Sequence, residues 1–385
     1  MNYIYRNRCL ITGKDDLEHL YTLKNLPIFI GCTDQPQTED IKEDLEIYIS
    51  KSSGIIQLKK LMPPNIVYSG YHSEAVGAVW EEHFNEFSKF ILKYNQSENI
   101  IEIGGSNGRL AEKCLILDNQ LNWTIIEPNP EKKIFKNDKI RVIQSFIENF
   151  EIDHKNSTFV HSHTLEHLYD PISFFKSISK KSEIGDIMLF SIPNLYEYLN
   201  KKFVNTINFE HTYFLTEDVA DFILKKYGYE LIDKYYYKDH SIFYSIRFLG
   251  EDRLDKKNEL KFDKYLEYKN MYLEFINFID SEVSRINLSI DQFISQNKDS
   301  KIYLFGAHIF SQFLINKGLK TSNISSIIDN SPNKIGKRLY GTSLHVVKPE
   351  IVKDTSSLII LKAGQYQVEV ENQLKRISSD LKYVL

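Results

Sequence analysis

The sequence predicts an α/β protein: a mostly parallel sheet with helices on both faces, followed by a second, smaller α/β unit. Three observations predict it. Short apolar runs alternate with helical patterns between residues 99 and 193. The first of these runs passes through a glycine-rich turn, "IIEIGGSNGRL", straight into a helical pattern. A second alternation begins at residue 301, after a charged helical stretch.

The elements follow in order. Residues 1–72 read as a small irregular module, with turn signals "TGKDD", "GCTDQPQ" and "MPPN" between brief apolar runs. Residues 73–250 form the first α/β domain. It opens on a helix in which Val76, Val79, Trp80, Phe84, Phe87, Phe90 and Ile91 recur at helical spacing. Its strands are "NIIEIG" (99–104), "WTIIEP" (123–128), "IRVIQS" (140–145), "STFVHSH" (157–163) and "DIMLFSIP" (186–193). Residues 251–300 are a helical connector with an apolar stripe of Tyr265, Tyr268, Tyr272, Phe275, Ile276 and Ile279. Residues 301–385 carry the second unit, with strands in "KIYLFGA", "ISSIIDN" and "SLIILKAG".

Composition narrows the function classes. The chain has 385 residues, 42% hydrophobic and 26% charged, as expected of an ordinary globular protein. A net charge of −4 gives no electrostatic reason to expect a nucleic-acid partner. The first residues lack the apolar core of a signal peptide, and no apolar run is long enough to span a membrane, so a cytoplasmic location is expected. Cys9, Cys32 and Cys114 lie far apart and suggest no disulfide framework.

The glycine turn selects a cofactor. Its order is Glu102-x-Gly104-x-x-x-Gly108, with Gly105 between, and not the G-x-G-x-x-G that lets bare backbone approach a pyrophosphate. A carboxylate two residues before the first glycine sits poorly beside phosphates. It suits a cofactor with a cationic amino-acid end, such as S-adenosylmethionine. The next strand ends in Glu127 and Pro128, where an acid accepts hydrogen bonds from ribose hydroxyls. Gln144 and Ser145 are placed against the adenine, His161 and Ser162 along the pocket, and Tyr68 and Tyr71 over it. In the second unit the single loop glycine, Gly306, is too few to cradle a pyrophosphate.

"VHSHTLEHLYDPISFF", "GDIMLFSIPNL" and "NFEHTYFLTEDVADFILKKYGYELID" resemble the class I methyltransferases that modify nucleotide-activated deoxysugars, above all the sugar C-methyltransferase group. The run Asp329, Pro332, Lys334, Gly336 and Gly341 is similar to that group's C-terminal domain. The resemblance implies a Rossmann-like methyltransferase sheet, S-adenosylmethionine as cofactor, and a nucleotide-sugar or related surface-polysaccharide precursor as small-molecule substrate. It also implies a proton-handling pair at Glu210 and His211, and a framework or catalytic pair at Glu166 and His167. His240 is similar to a histidine that the group brings to its substrate, although Ile242 and Phe243 replace the glycines expected nearby.

Two departures matter. The group's N-terminal zinc module has two C-x-x-C-G knuckles, whereas this chain reads "CLITG" and "SKSSG". Thr12, Ser50 and Ser53 stand where thiolates belong, and hydroxyls are poor zinc ligands, so the module is expected to fold without metal and the protein to carry no zinc. Asn208 replaces the tyrosine of the C-methylating pattern. Carbanion formation demands more help than a hydroxyl nucleophile needs, so O-methylation is favoured. C-methylation, or a non-catalytic partner role, is the alternative. The acceptor's identity and the oligomeric state stay open.

Overall fold

Strands that read as nearly continuous apolar runs are buried on both faces, and the central strands here approach that pattern. In the computed structural model, which describes residues 2–68, 77–130, 137–150, 157–250, 264–353 and 355–384, all seven residues of Ile187–Pro193 are buried. Tyr71 and Val76 lie outside the described residues.

The N-terminal region is more regular than its sequence suggests. Strands β1 (Leu17–Pro27), β2 (Lys42–Ser50) and β3 (Ile56–Leu58) form an antiparallel sheet in the order β1-β2-β3. The register of β1 on β2 shifts between His19 and Tyr21 and again between Leu23 and Leu26, and Asn25 takes a φ of 51°. These bulges break the two-residue alternation by which a strand is read. Both knuckle turns persist: Gly13 N donates to Cys9 O and Gly54 N to Ser50 O, each at 2.8 Å. Cys9 Sγ lies 3.6 Å from Ser53 Oγ, and Ser50 Oγ donates to Asp16.

Helix α1 (Ala78–Tyr94) leads into the central sheet. Its strands are β4 (Asn99–Ile103), β5 (Asn122–Ile126), β6 (Ile140–Ile143), β7 (Ser157–Ser162), β8 (Ile187–Pro193), β9 (Tyr229–Tyr237) and β10 (Ser241–Phe248). Their order is β9-β10-β8-β7-β4-β5-β6, with β10 antiparallel to both neighbours and the other pairings parallel. Ile100, Trp123, Ile125, Val160 and Leu189 pack beneath α1 and α2 (Arg109–Leu117). Ile101, Ile126, Phe159, Met188 and Phe190 pack beneath α3 (Pro171–Lys181) and α4 (Glu217–Lys226). The strand order reverses between the parallel strands β7 and β4, and in open α/β sheets cofactors bind at the carboxyl ends of the strands at such a point.

Helix α5 (Tyr265–Gln296) buries the predicted Tyr268, Tyr272, Phe275, Ile276 and Ile279. Beyond it β11 (Ile302–Phe305), β12 (Ser326–Ile328), β13 (Val346–Val347), β14 (Leu358–Leu361) and β15 (Lys382–Val384) form a parallel sheet in the order β13-β12-β11-β14-β15. In its first loop, Asp329 accepts from Ala307 N at 2.8 Å and Ser331 N at 2.9 Å, which ties two strand ends together. Among the described residues, no helix is long and apolar enough to cross a membrane.

Candidate active site

The glycine turn leaves β4 at the crevice. Gly104 has φ +75°, Ser106 +44° and Gly108 +76°. A Cβ on Gly104 would meet Thr164 Oγ1 at 2.9 Å, and one on Gly105 would meet Ile125 Cγ2 at 2.6 Å. Glycine is therefore required at both positions, by backbone conformation at the first and by space at each.

Glu102 lies behind this turn. Its carboxylate packs where a Gly105 side chain would stand and accepts from Trp123 Nε1 at 2.7 Å. Burial pushes its carboxyl up to about 7, against the indole bond and with Glu127 adding to the rise. Glu127, at the end of β5, faces the turn directly: it accepts from Ser106 N at 3.2 Å and Asn129 N at 2.9 Å. A half-buried carboxylate beside a side-chain-free cradle fits the ribose end of S-adenosylmethionine. Gln144 Nε2 donates to Pro128 O at 3.2 Å, and Ser145 Oγ donates to Phe146 O, so these three residues brace the rim next to Glu127.

His161 is a correction. Expected along the pocket, its ring stacks on Phe190 at 4.7 Å and meets Phe174 edge-on, with both nitrogens buried and lacking a hydrogen-bond partner among the described residues. Side chains alternate along a strand, so Ser162 faces α1 while His161 turns to α3. Ser162 Oγ contacts Ser191 Oγ at 2.8 Å and His83 Nε2 at 3.3 Å.

The loop after β8 carries Asn208, Glu210 and His211. Asn208 Oδ1 accepts from Glu210 N at 2.8 Å and His211 N at 3.0 Å, and its Nδ2 faces Asn205. Its side chain shapes the loop from within. The ring of His211 lies 4.9 Å from that of His167, and its Nδ1 is 3.2 Å from Thr206 O. A carbonyl only accepts, so Nδ1 carries the hydrogen and Nε2 the lone pair. His167 Nδ1 meets Tyr68 OH at 3.2 Å, and its Nε2 is 3.8 Å from the buried Glu166 carboxylate. Thr212 N donates to Glu166 O and Tyr213 OH to Leu165 O, which holds the two histidine turns together.

Sequence reasoning missed Arg6, His83 and His163. Arg6 comes from the N-terminal region, yet it bonds the catalytic loop at Thr212 and the turn at Tyr169. His83 sits inside the apolar stripe of α1, where it reads as one more core position. His163, at the tip of β7, has a φ of 49°.

Two family models match the chain: a methyltransferase domain over residues 78–234 and a C-methyltransferase C-terminal domain over 254–383. No curated protein matches it. Among solved structures it is similar to an S-adenosylmethionine-dependent methyltransferase from Clostridium acetobutylicum, at 14% identity over 44% of this chain and 92% of that one, with a TM-score of 0.34. It is similar to the N-methyltransferase NodS from Bradyrhizobium japonicum, at 14% identity over 46% and 99%, with a TM-score of 0.35. The plantazolicin methyltransferase BpumL, solved with S-adenosylhomocysteine, shows 12% identity over 44% and 84%, with a TM-score of 0.34.

Proposed function

Because this chain is an S-adenosylmethionine-dependent methyltransferase, we propose that its acceptor is a nucleotide-activated sugar or related surface-polysaccharide precursor, methylated on a hydroxyl oxygen with His211 as base. The observation that carries the base is the contact of His211 Nδ1 with Thr206 O, which leaves Nε2 basic. The sugar class rests on the resemblance that runs through all three regions of the chain.

The cofactor supplies a methyl carbon on a sulfonium, open to in-line attack. Glu127 and the Gly104–Gly108 turn would hold its nucleoside and amino-acid ends. With the cofactor bound, His211 Nε2 would take the proton of the acceptor hydroxyl as that oxygen receives the methyl group, leaving S-adenosylhomocysteine. His167 packs against the His211 ring and limits its rotation. Asn208 keeps the loop in register through two backbone amides.

C-methylation is the second reading, favoured by the match of residues 254–383 to a C-methyltransferase domain. Labelled cofactor, incubated with a panel of nucleotide-sugars and analysed by mass spectrometry and NMR, separates the two. Label on a sugar oxygen is the expected result. Label on carbon selects the second reading, and a panel with no methylated sugar overturns the acceptor class.

A further inference from the structure

Three histidines that the methyl transfer does not use meet on one serine hydroxyl. Around Ser241 Oγ stand His83 Nδ1 at 3.2 Å, His163 Nε2 at 2.8 Å and His240 Nδ1 at 2.5 Å. One ring nitrogen from each lies within 4.8 Å of the other two. The three come from separate elements: α1, the tip of β7, and the turn before β10. Trp80 covers all of them, with ring centroids 5.1, 4.9 and 4.6 Å from His83, His163 and His240.

We propose that His83, His163 and His240 bind a divalent transition-metal ion of the zinc class. Imidazole nitrogen suits zinc, and three protein ligands leave a fourth position open. Ligand histidines must be neutral to offer a lone pair to the ion. Their outward nitrogens are provided for in two cases. His83 Nε2 faces Ser162 Oγ at 3.3 Å, and His163 Nδ1 faces the buried Glu166 carboxylate at 3.7 Å. A carboxylate on the far nitrogen of a ligand histidine fixes its tautomer and raises its basicity.

With Nδ1–H of His163 toward Glu166, its Nε2 lone pair points at Ser241 and takes the one hydroxyl proton, so His83 and His240 must donate to Ser241 from Nδ1. An ion instead accepts all three inward lone pairs at once. In both arrangements His240 Nε2 is buried without a hydrogen-bond partner among the described residues, so the convergence of the three rings carries the site. The expectation of a zinc-free protein came from the knuckle positions, and none of those residues takes part here.

The test uses the full chain, stripped with chelator and titrated with zinc by calorimetry, with cobalt(II) absorption as a second probe. One ion per chain is expected, with a cobalt spectrum of nitrogen coordination. His83→Gln and His240→Gln should each weaken zinc by about 10²-fold or more, beyond the 10–100-fold typical of an outer-shell loss. Ser241→Ala should cost no more than the roughly 10–100-fold of an outer-shell loss, and His211→Ala should stay within about tenfold of the parent. Because His83 and His240 are buried, imidazole nitrogen NMR shifts on adding zinc to the unaltered chain give an answer that needs no variant. Shifts at these three rings support the site. Absence of zinc binding, shifts at other histidines instead, binding that survives both glutamine variants, or loss confined to His211→Ala would overturn it.

Discussion

Arg6 donates from Nη1 to the carbonyl of Thr212, the residue after His211, at 2.8 Å. The same guanidinium bonds Tyr169 O at 2.8 Å, so one buried side chain joins the catalytic loop to the turn that follows His167. Strand β3 adds Leu58 N to Thr212 O at 3.0 Å and Phe214 N to Ile56 O at 2.9 Å. The N-terminal sheet thus buttresses the loop that carries Asn208, Glu210 and His211.

Arg6→Ala should therefore lower turnover while leaving cofactor affinity near the parent value. It removes three carbonyl contacts in a buried setting, and a stability loss of about 1–3 kcal/mol is expected. Calorimetry with S-adenosylhomocysteine and steady-state rates check the split. A fall in cofactor affinity equal to the fall in turnover would contradict it.

Glu127→Ala should weaken S-adenosylmethionine by about 1–3 kcal/mol, the scale for leaving ribose hydroxyls unpaired, with a further effect from freeing the Ser106 amide. Titration calorimetry reads this directly. Unchanged affinity would remove Glu127 from the cofactor site.

Glu102 predicts a pH dependence of stability. Its folded pKa, about 7, lies above the value of an exposed glutamate, so the folded state holds its proton longer than the unfolded chain. Its contribution is fully present below the unfolded pKa and is lost as pH rises through about 7. Glu102→Gln keeps an acceptor for Trp123 and removes the titration. The variant should gain on the parent by about 3 kcal/mol between pH ~4.5 and pH ~8, an order-of-magnitude figure. Denaturant melts across that range test it, and parallel curves would contradict it.

Cys9→Ser should leave zinc content and turnover unchanged. Cys9 Sγ faces Ser53 Oγ and the Thr12 amide, and a hydroxyl reproduces both contacts. Elemental analysis with a thermal melt checks this. Loss of a bound ion in the variant would restore the knuckle as a metal site.

The central strands were legible because each is a mainly apolar run bounded by polar turns, broken only by buried polar residues such as Glu102, His161 and Ser191. The edge strand β9 was not, since its exposed Tyr235 and Tyr236 and its register shift after Leu231 dilute the pattern. The glycine turn and Glu127 sit together at the ends of β4 and β5, which their spacing along the chain makes readable. His161 failed for a simple reason: a strand shows only every second residue to one face. Arg6 stands 206 residues from Thr212, and no local pattern encodes that contact.

The central claim is that His211 Nε2 takes the acceptor's proton. His211→Ala, assayed on the acceptor identified from the nucleotide-sugar panel, tests it most directly. Turnover should fall by about 10²–10⁴-fold, the usual contribution of a general base, while S-adenosylhomocysteine binds as it does to the parent. Unchanged turnover in His211→Ala on that acceptor would contradict the account and pass the base to another residue.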